Sequence, residues 1–272
     1  MTPATWHQAN ITFPTWRDAE PTAARILAPL LRQAEDDGAI NAWFVMRKHP
    51  CWRMRYQPGP GHHTRIEAAL DSLTTAGLLT GWTPVHYEPE TFAFGGPRAM
   101  DVAHRLFHLD TRNLFDDAAT HGTAHRRETT LLLCSLLLRS AELDWYEQGD
   151  VWSRVAAHRP APNAEHAQRL RESMHRLLTA DGAQPLLPGD RLDQHTHRAR
   201  AYTLAGNDLA RLAATGELHR GLRAVLAHHI LFAFNRAGLS MPDQSALTHA
   251  AAAAILGPDP TTEGSVHHAA AT

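Results

Sequence analysis

The chain has 272 residues, a formal net charge of -2 at pH 7 and 43% hydrophobic residues, enough for a sizeable core and with no cationic surplus to drive general nucleic-acid binding. Cys51 and Cys134 stand far apart without CxxC spacing, so neither a disulfide framework nor a structural zinc site is expected. The start "MTPATWHQANITF" lacks the basic and apolar regions of a signal peptide, and no stretch reaches the roughly 18 apolar residues of a membrane span; a reduced, cytoplasmic setting is the expectation.

Taken in chain order, "WHQANITF" alternates as a strand does. "PTAARILAPLLRQAEDDG" places Ala23, Ile26, Leu27, Leu30 and Leu31 at helical spacing, with Gly38 as a C-terminal cap and Pro29 as a site for a kink. "WFVMRKHPCWRMRY", residues 43–56, reads as two strands folded about a His-Pro corner. "TRIEAALDSLTTAGLL" is a helix with Ile66, Ala69, Leu70 and Leu73 on one face, and "WTPVHYEPE" a strand interrupted or edged by prolines. The order β-α-β-β-α-β predicts a ferredoxin-like split βαβ sheet with helices on one face and the other free to bind. After "FGGPRAM" the pattern turns helical, and the eight-residue "LLLCSLLL" is too short to span a membrane and reads as a buried helix. "HRPAPNAE" and "PLLPGD" read as loops, "GLRAVLAHHILFAFNRAGL" and "DQSALTHAAAAAIL" as late helices. The fold class expected is therefore α+β: a ferredoxin-like amino-terminal half packed on a mainly helical carboxy-terminal half.

The hairpin concentrates Arg47, Lys48, Arg53 and Arg55. Strand alternation sends Trp52, Met54 and Tyr56 to one face and Arg53 with Arg55 to the other. Two adjacent guanidinium groups repel unless an anion shares the space, and their forks match carboxylates. A solvated sheet face, or a salt bridge to Glu88 or Glu90, is the structural alternative. Glu88 and Glu90, two apart on one side of an extended strand, precede a glycine pair that permits positive φ or close backbone approach. The late helix carries His228, His229, Asn235 and Arg236, where a histidine serves either as a general base or in helix packing. "DWYEQGDVW", with Asp144, Glu147 and Asp150 among three aromatics, reads as a turn between helices, with the lining of a cleft as the alternative. The remaining paired histidines, His62-His63, His195 with His197, and His267-His268, read as loop or tail residues. No HExxH or Cys/His ligand pattern, GxGxxG or Walker lysine is present, so no metal and no nucleotide cofactor is expected.

Together, "WHQANITF", "WFVMRKHPCWRMRY", "YEPETFAFGGPRAM" with "AHRLFHLDT", "DWYEQGDVW" and "HHILFAFNRAGL" resemble the thiopeptide-type bacteriocin biosynthesis family, which is similar to the C-terminal elimination domain of class I lanthipeptide dehydratases. The resemblance covers about residues 5–256. It implies one elimination-type domain over 1–256, with a sheet-containing half at 5–95, a helical half at 97–256 and a disordered tail at 257–272. The implied activity is that of a stand-alone lyase that removes glutamate from glutamylated Ser or Thr of a ribosomal precursor peptide, leaving dehydroalanine or dehydrobutyrine. The implied partners are that peptide, leader plus glutamylated core, and a separate glutamylating dehydratase subunit that handles the aminoacyl-tRNA; this chain itself would bind no nucleic acid, need no redox cofactor and be compatible with a homodimer.

Carried over residue by residue, the resemblance makes Arg53 and His229 catalytic, the first as a cation and the second as the base. Arg47, Arg55, Glu90, His228, Asn235 and Arg236 join them as substrate-binding residues, in a crease between the sheet and the 218–237 helix. Three positions depart from the family pattern. Cys51 stands where a histidine is usual before the arginines, Ala93 where an arginine precedes the aromatic-Gly-Gly, and Leu231 where a histidine lies five residues before the arginine of Asn-Arg. Two other activities therefore stand beside the lyase: formal four-plus-two cycloaddition of two dehydroalanines to build a pyridine core, and a noncatalytic peptide-presenting subunit.

Overall fold

A computed structural model describes residues 5–60, 64–121, 125–163, 170, 173–175, 177–178, 192 and 195–257. The loop expected at "PLLPGD", the end of "HRPAPNAE", the pairs His62-His63 and His267-His268, and the expected tail beyond Gly257 lie outside the described residues. The chain divides into two compact units: one of residues up to Glu90 with Met100–Arg126 and Asn235–Gly238, the other of Thr91–Ala99, Arg127–Phe234 and the residues from Leu239 onward.

The first unit contains strands β1 (His7–Thr12), β2 (Ile40–Lys48), β3 (Cys51–Pro58) and β4 (Gly81–Val85) in the order β2-β3-β1-β4. All three neighbouring pairs are antiparallel. This is the split βαβ arrangement expected from the element order, and the fold is α+β with a small sheet followed by a mainly helical region. Helices α1 (Trp16–Thr22) and α2 (Ala28–Asp36) form one continuous rod with a π-helical turn, Ala23–Leu27, between them. The expected distortion thus falls just before Pro29, whose ring cannot donate to the preceding turn; a widened turn relieves the clash. The rod also begins earlier than the hydrophobic pattern suggested, because Thr15 caps it by accepting from the Asp18 backbone N–H at 3.1 Å.

Period-two alternation sorts the sheet residues by face. Ala9, Ile11, Trp43, Val45, Trp52, Met54 and Tyr56 join Leu27, Leu31, Ile66 and Leu70 in the core beneath α1, α2 and α3 (Arg65–Thr75). The opposite face receives Gln8, Asn10, Phe44, Met46, Arg53 and Arg55. The β2 edge is covered by α4 (Pro97–His121), where His108 Nδ1 and Thr111 Oγ1 accept the Trp43 and Val45 N–H groups at 3.2 and 3.5 Å. The β4 edge carries Pro84, which removes a donor from it. β4 ends at Val85, so Glu88 and Glu90 lie in irregular chain rather than on the extended strand expected for them.

The second unit is helical among its described residues. Helix α5 (Arg126–Ser140) buries every residue from Thr129 to Leu138, as expected of a core helix, and no described helix is long and apolar enough to cross a membrane. "DWYEQGDVW" is not a turn but the start of α6 (Trp145–Ala156), opened by a capping box between Asp144 and Glu147. Then come α7 (Thr196–Ala214), α8 (Leu222–Ala237) and α9 (Met241–Leu256). α9 packs on α6, where Gly149 leaves room that a Cβ would take from Ile255 at 2.7 Å.

Candidate functional site

The first unit builds a cationic site on the sheet face opposite the α1–α3 core. Register sets Arg55 between Gln8 of β1 and Phe44 of β2, and Arg53 between Asn10 and Met46. Arg55 is only 8% exposed. Its guanidinium lies over the Tyr87 ring at 4.5 Å and the Phe44 ring at 5.3 Å. Its Nε donates to Gln8 Oε1 at 2.7 Å, and Gln8 Nε2 in turn donates to Asn10 Oδ1 at 2.9 Å. Among the described residues no carboxylate comes within the 4.0 Å of an ion pair with Arg53 or Arg55. The salt bridge from these arginines to Glu88 or Glu90 is therefore not made. Glu90 acts on Arg55 only through its field.

Burying a guanidinium without a carboxylate is costly, and Arg55 registers that cost. Burial, together with the like charge of Arg53, lowers its pKa to about 10, still fully protonated at neutral pH. Burial also raises the Tyr87 phenol to about 12. The Tyr87 hydroxyl is hydrogen-bonded to His104 Nε2 at 2.9 Å. Burial and then Arg55 push His104 down to about 4, so this imidazole is neutral at physiological pH. The Trp6 ring lies against it, tilted by 31° with centroids 4.6 Å apart.

Two of the arginines expected to bind substrate have internal partners instead. Arg47 projects to the core face beside Trp52, 4.8 Å over that ring, and pairs with Glu20 at 2.9 Å. Glu20 also pairs with Arg126 at 2.5 Å. Burial raises the Glu20 pKa, but hydrogen bonds and charge from Arg126 and Arg47 outweigh it and hold the carboxyl below its usual value. Arg236 is fully buried, its Nε donating to Asp110 Oδ2 at 2.8 Å and its guanidinium 4.5 Å over Phe107. The physical reason is common to both: each arginine faces a carboxylate of the same unit. Asn235 belongs to this unit and is half-buried.

The second unit holds the histidines. His229 is 1% exposed, edge-on to Phe94 at 4.9 Å. His228 is half-buried, 4.6 Å from Phe94 and 4.9 Å from Phe232. Helical geometry separates them further: His228 lies three residues before Leu231 and shares its face, whereas His229 lies two before it and points away. The glycine pair behaves as its sequence implied, with φ of +92° at Gly95 and +107° at Gly96. A Cβ there would strike Leu218 at 2.6 Å and His219 at 2.8 Å. The same segment delivers a cation, because Arg220 Nη1 donates to the Ala93 carbonyl at 2.9 Å.

Gln8, Tyr87, His104 and Arg220 were not singled out from the sequence. For Gln8 a signal existed, since it alternates with the core residues of β1. The other three depend on contacts that no local pattern encodes.

Several solved structures share the fold, two of them as follows. One is the tRNA dependent lantibiotic dehydratase MibB from Microbispora sp. 107891, with a TM-score of 0.67 and 18% identity over 93% of this chain. The match spans only 28% of that larger chain. The other is TsrL, with a TM-score of 0.63 and 18% identity over 92% of this chain and 94% of that one. No curated protein matches. The sequence matches the family described as lantibiotic biosynthesis dehydratase C-term over residues 6–255, and the chain belongs to that family.

Proposed function

We propose that the protein is a stand-alone lyase that eliminates glutamate from glutamylated Ser or Thr of a ribosomal precursor peptide, leaving dehydroalanine or dehydrobutyrine. In this reaction a base takes the Cα proton. The electron pair forms the Cα–Cβ double bond, the Cβ–O bond breaks, and glutamate leaves as its γ-carboxylate. What the enzyme supplies is a positioned base and cations for the charge that develops on the carbonyl and the leaving carboxylate.

The observation that carries the proposal is the Arg53–Arg55 pair, held on one sheet face with no carboxylate of the described chain in ion-pairing range. Such a pair suits the carboxylates of a glutamyl group. Glu90, whose field reaches Arg55, orients it. We assign the base to His228 ahead of His229, on the ground that His228 is half-buried and shares the face of Leu231 while His229 is 1% exposed. Arg220 supplies a cation at Ala93, where the resembling lyases carry an arginine side chain. The partners are the precursor peptide and a separate glutamylating dehydratase, in keeping with the tRNA dependence of MibB, whose chain extends far beyond the shared portion.

The test is mass spectrometry of a glutamylated precursor peptide incubated with the purified protein. Conversion of glutamylated residues to dehydroamino acids, with free glutamate released, is expected. An unchanged glutamylated peptide refutes the lyase. Ala93 and Leu231 favour a second reading, cycloaddition. It is recognised by consumption of a dehydroalanine-containing peptide with release of its leader.

A further inference from the structure

We propose that Tyr87 and His104 act together as positioning residues for the Arg55 guanidinium, fixing the cation that receives the substrate carboxylate; the substrate class rests on the elimination reading above. The first unit closes a ring of contacts around this arginine. Arg55 sits against Tyr87 at 4.5 Å and Phe44 at 5.3 Å. The Tyr87 hydroxyl is tied to His104 at 2.9 Å, and the His104 ring lies 6.0 Å from Phe44 and 4.6 Å from Trp6. Tyr87 follows β4 in irregular chain and packs against Trp6 and Phe44. The bond to His104 anchors it to α4, the long helix that also covers the β2 edge.

The chemistry of the pair argues against a purely structural role. A phenol and an imidazole buried together lose hydration that one mutual hydrogen bond only balances, and two apolar side chains of similar size fill such a space without that loss. What the polar pair adds is orientation. The tyrosine ring presents its electron-rich face to the guanidinium, and the imidazole, kept neutral by burial and by Arg55 itself, adds no second positive charge. With Nε held by Gln8 and the nearly perpendicular Tyr87 and Phe44 rings against it on adjacent sides, Arg55 has fewer directions open to its remaining N–H groups. A fixed fork of this kind loses little freedom when a carboxylate binds.

The experiment uses glutarate as a probe of the cation site, by calorimetry, alongside kcat/KM for glutamylated peptide. The variants are Tyr87→Phe, His104→Leu and His104→Gln, each made in the native protein and with Arg55→Lys; thermal melts verify folding. Tyr87→Phe and His104→Leu should each weaken glutarate binding and lower kcat/KM roughly fivefold to twentyfold. His104→Gln, which still reaches the hydroxyl, should recover most of the loss. With Arg55→Lys present, neither Tyr87→Phe nor His104→Leu should cost more than about twofold further, because the group they position is gone. If a folded His104→Leu protein binds glutarate as the native protein does, or if its losses persist unchanged with Arg55→Lys, the positioning role is overturned. If glutarate shows the coupling while the native protein leaves glutamylated peptide intact, the positioning stands and the elimination reading falls.

Discussion

Arg55 and Arg236 are both almost fully buried, 8% and 1% exposed, and both lie over aromatic rings, yet only Arg236 has a carboxylate partner, Asp110 at 2.8 Å. The same substitution, arginine to methionine, should therefore have opposite consequences at the two positions. Arg236→Met takes the ion-pair partner from a buried Asp110 carboxylate, at a cost of about 3–5 kcal/mol, or roughly 10 °C in Tm for a protein of this size. Arg55→Met removes a buried cation that has no carboxylate of the described residues in ion-pairing range, only the more distant field of Glu90. The desolvation it relieves offsets the lost Gln8 bond and ring contacts, so stability should stay within about 1 kcal/mol of the native value. Activity should separate in the other direction. Loss of a preorganised charge donor costs about 10²–10³ in kcat, and Arg55→Met should lose elimination to that extent while melting normally. Thermal melts paired with turnover of glutamylated peptide read both quantities. An Arg55→Met protein that melts as low as Arg236→Met and turns over at the native rate would refute the reasoning, because Arg55 would then be a structural residue.

His228→Ala should abolish elimination, by about 10²–10⁴ for a general base, with glutamylated peptide accumulating; His229→Leu, altering a buried ring against Phe94, should change Tm more than turnover. Arg220→Ala should lower kcat/KM at least about tenfold with little change in Tm, since this half-buried residue gives up a single bond to the Ala93 carbonyl. The lowered folded-state pKa of Glu20 fixes the sign of one pH effect. Its ion pairs with Arg47 and Arg126 contribute stability that is fully present above the ordinary value of 4.5 and is lost as pH falls through the lower folded value. Tm measured against pH should thus fall less steeply on the acid side for Glu20→Gln than for the native protein, from a lower starting Tm.

What was legible in the sequence follows from how local each signal is. Strand alternation in "WHQANITF" and "CWRMRY" separated the core face from the arginine face, because a period of two needs only neighbouring residues. The sheet order followed from the element order for the same reason of restricted choice. "DWYEQGDVW", expected as a turn, is a helix start, and Asp144 and Glu147 at capping-box spacing are the local signal for it. The strand expected through Glu90 stops at Val85, since Pro84 and Pro89 deny the ladder two donors and nothing pairs beyond β1. The fates of the arginines were not legible. Arg47 meets Glu20 and Arg236 meets Asp110 across 27 and 126 positions of sequence, and no local pattern distinguishes such residues from Arg55.

The concentration of cations on the hairpin thus has two causes rather than one. Arg47 belongs to an internal network with Glu20 and Arg126, on the core side of the sheet. Arg53 and Arg55 lie on the opposite face with no carboxylate of the described residues in ion-pairing range, and it is there that we propose the substrate carboxylate binds. A pair of guanidinium groups stabilises negative charge on any carbonyl or carboxylate brought to it, so it serves an elimination and a cycloaddition alike and does not by itself choose between them. The choice lies with the proton. Elimination must remove one from Cα and therefore requires a base of adequate strength near neutral pH. His104 is excluded from that duty by a pKa near 4 and by its bond to Tyr87. The half-exposed His228 on α8 remains as the residue whose loss should separate a lyase from its relatives with other chemistry.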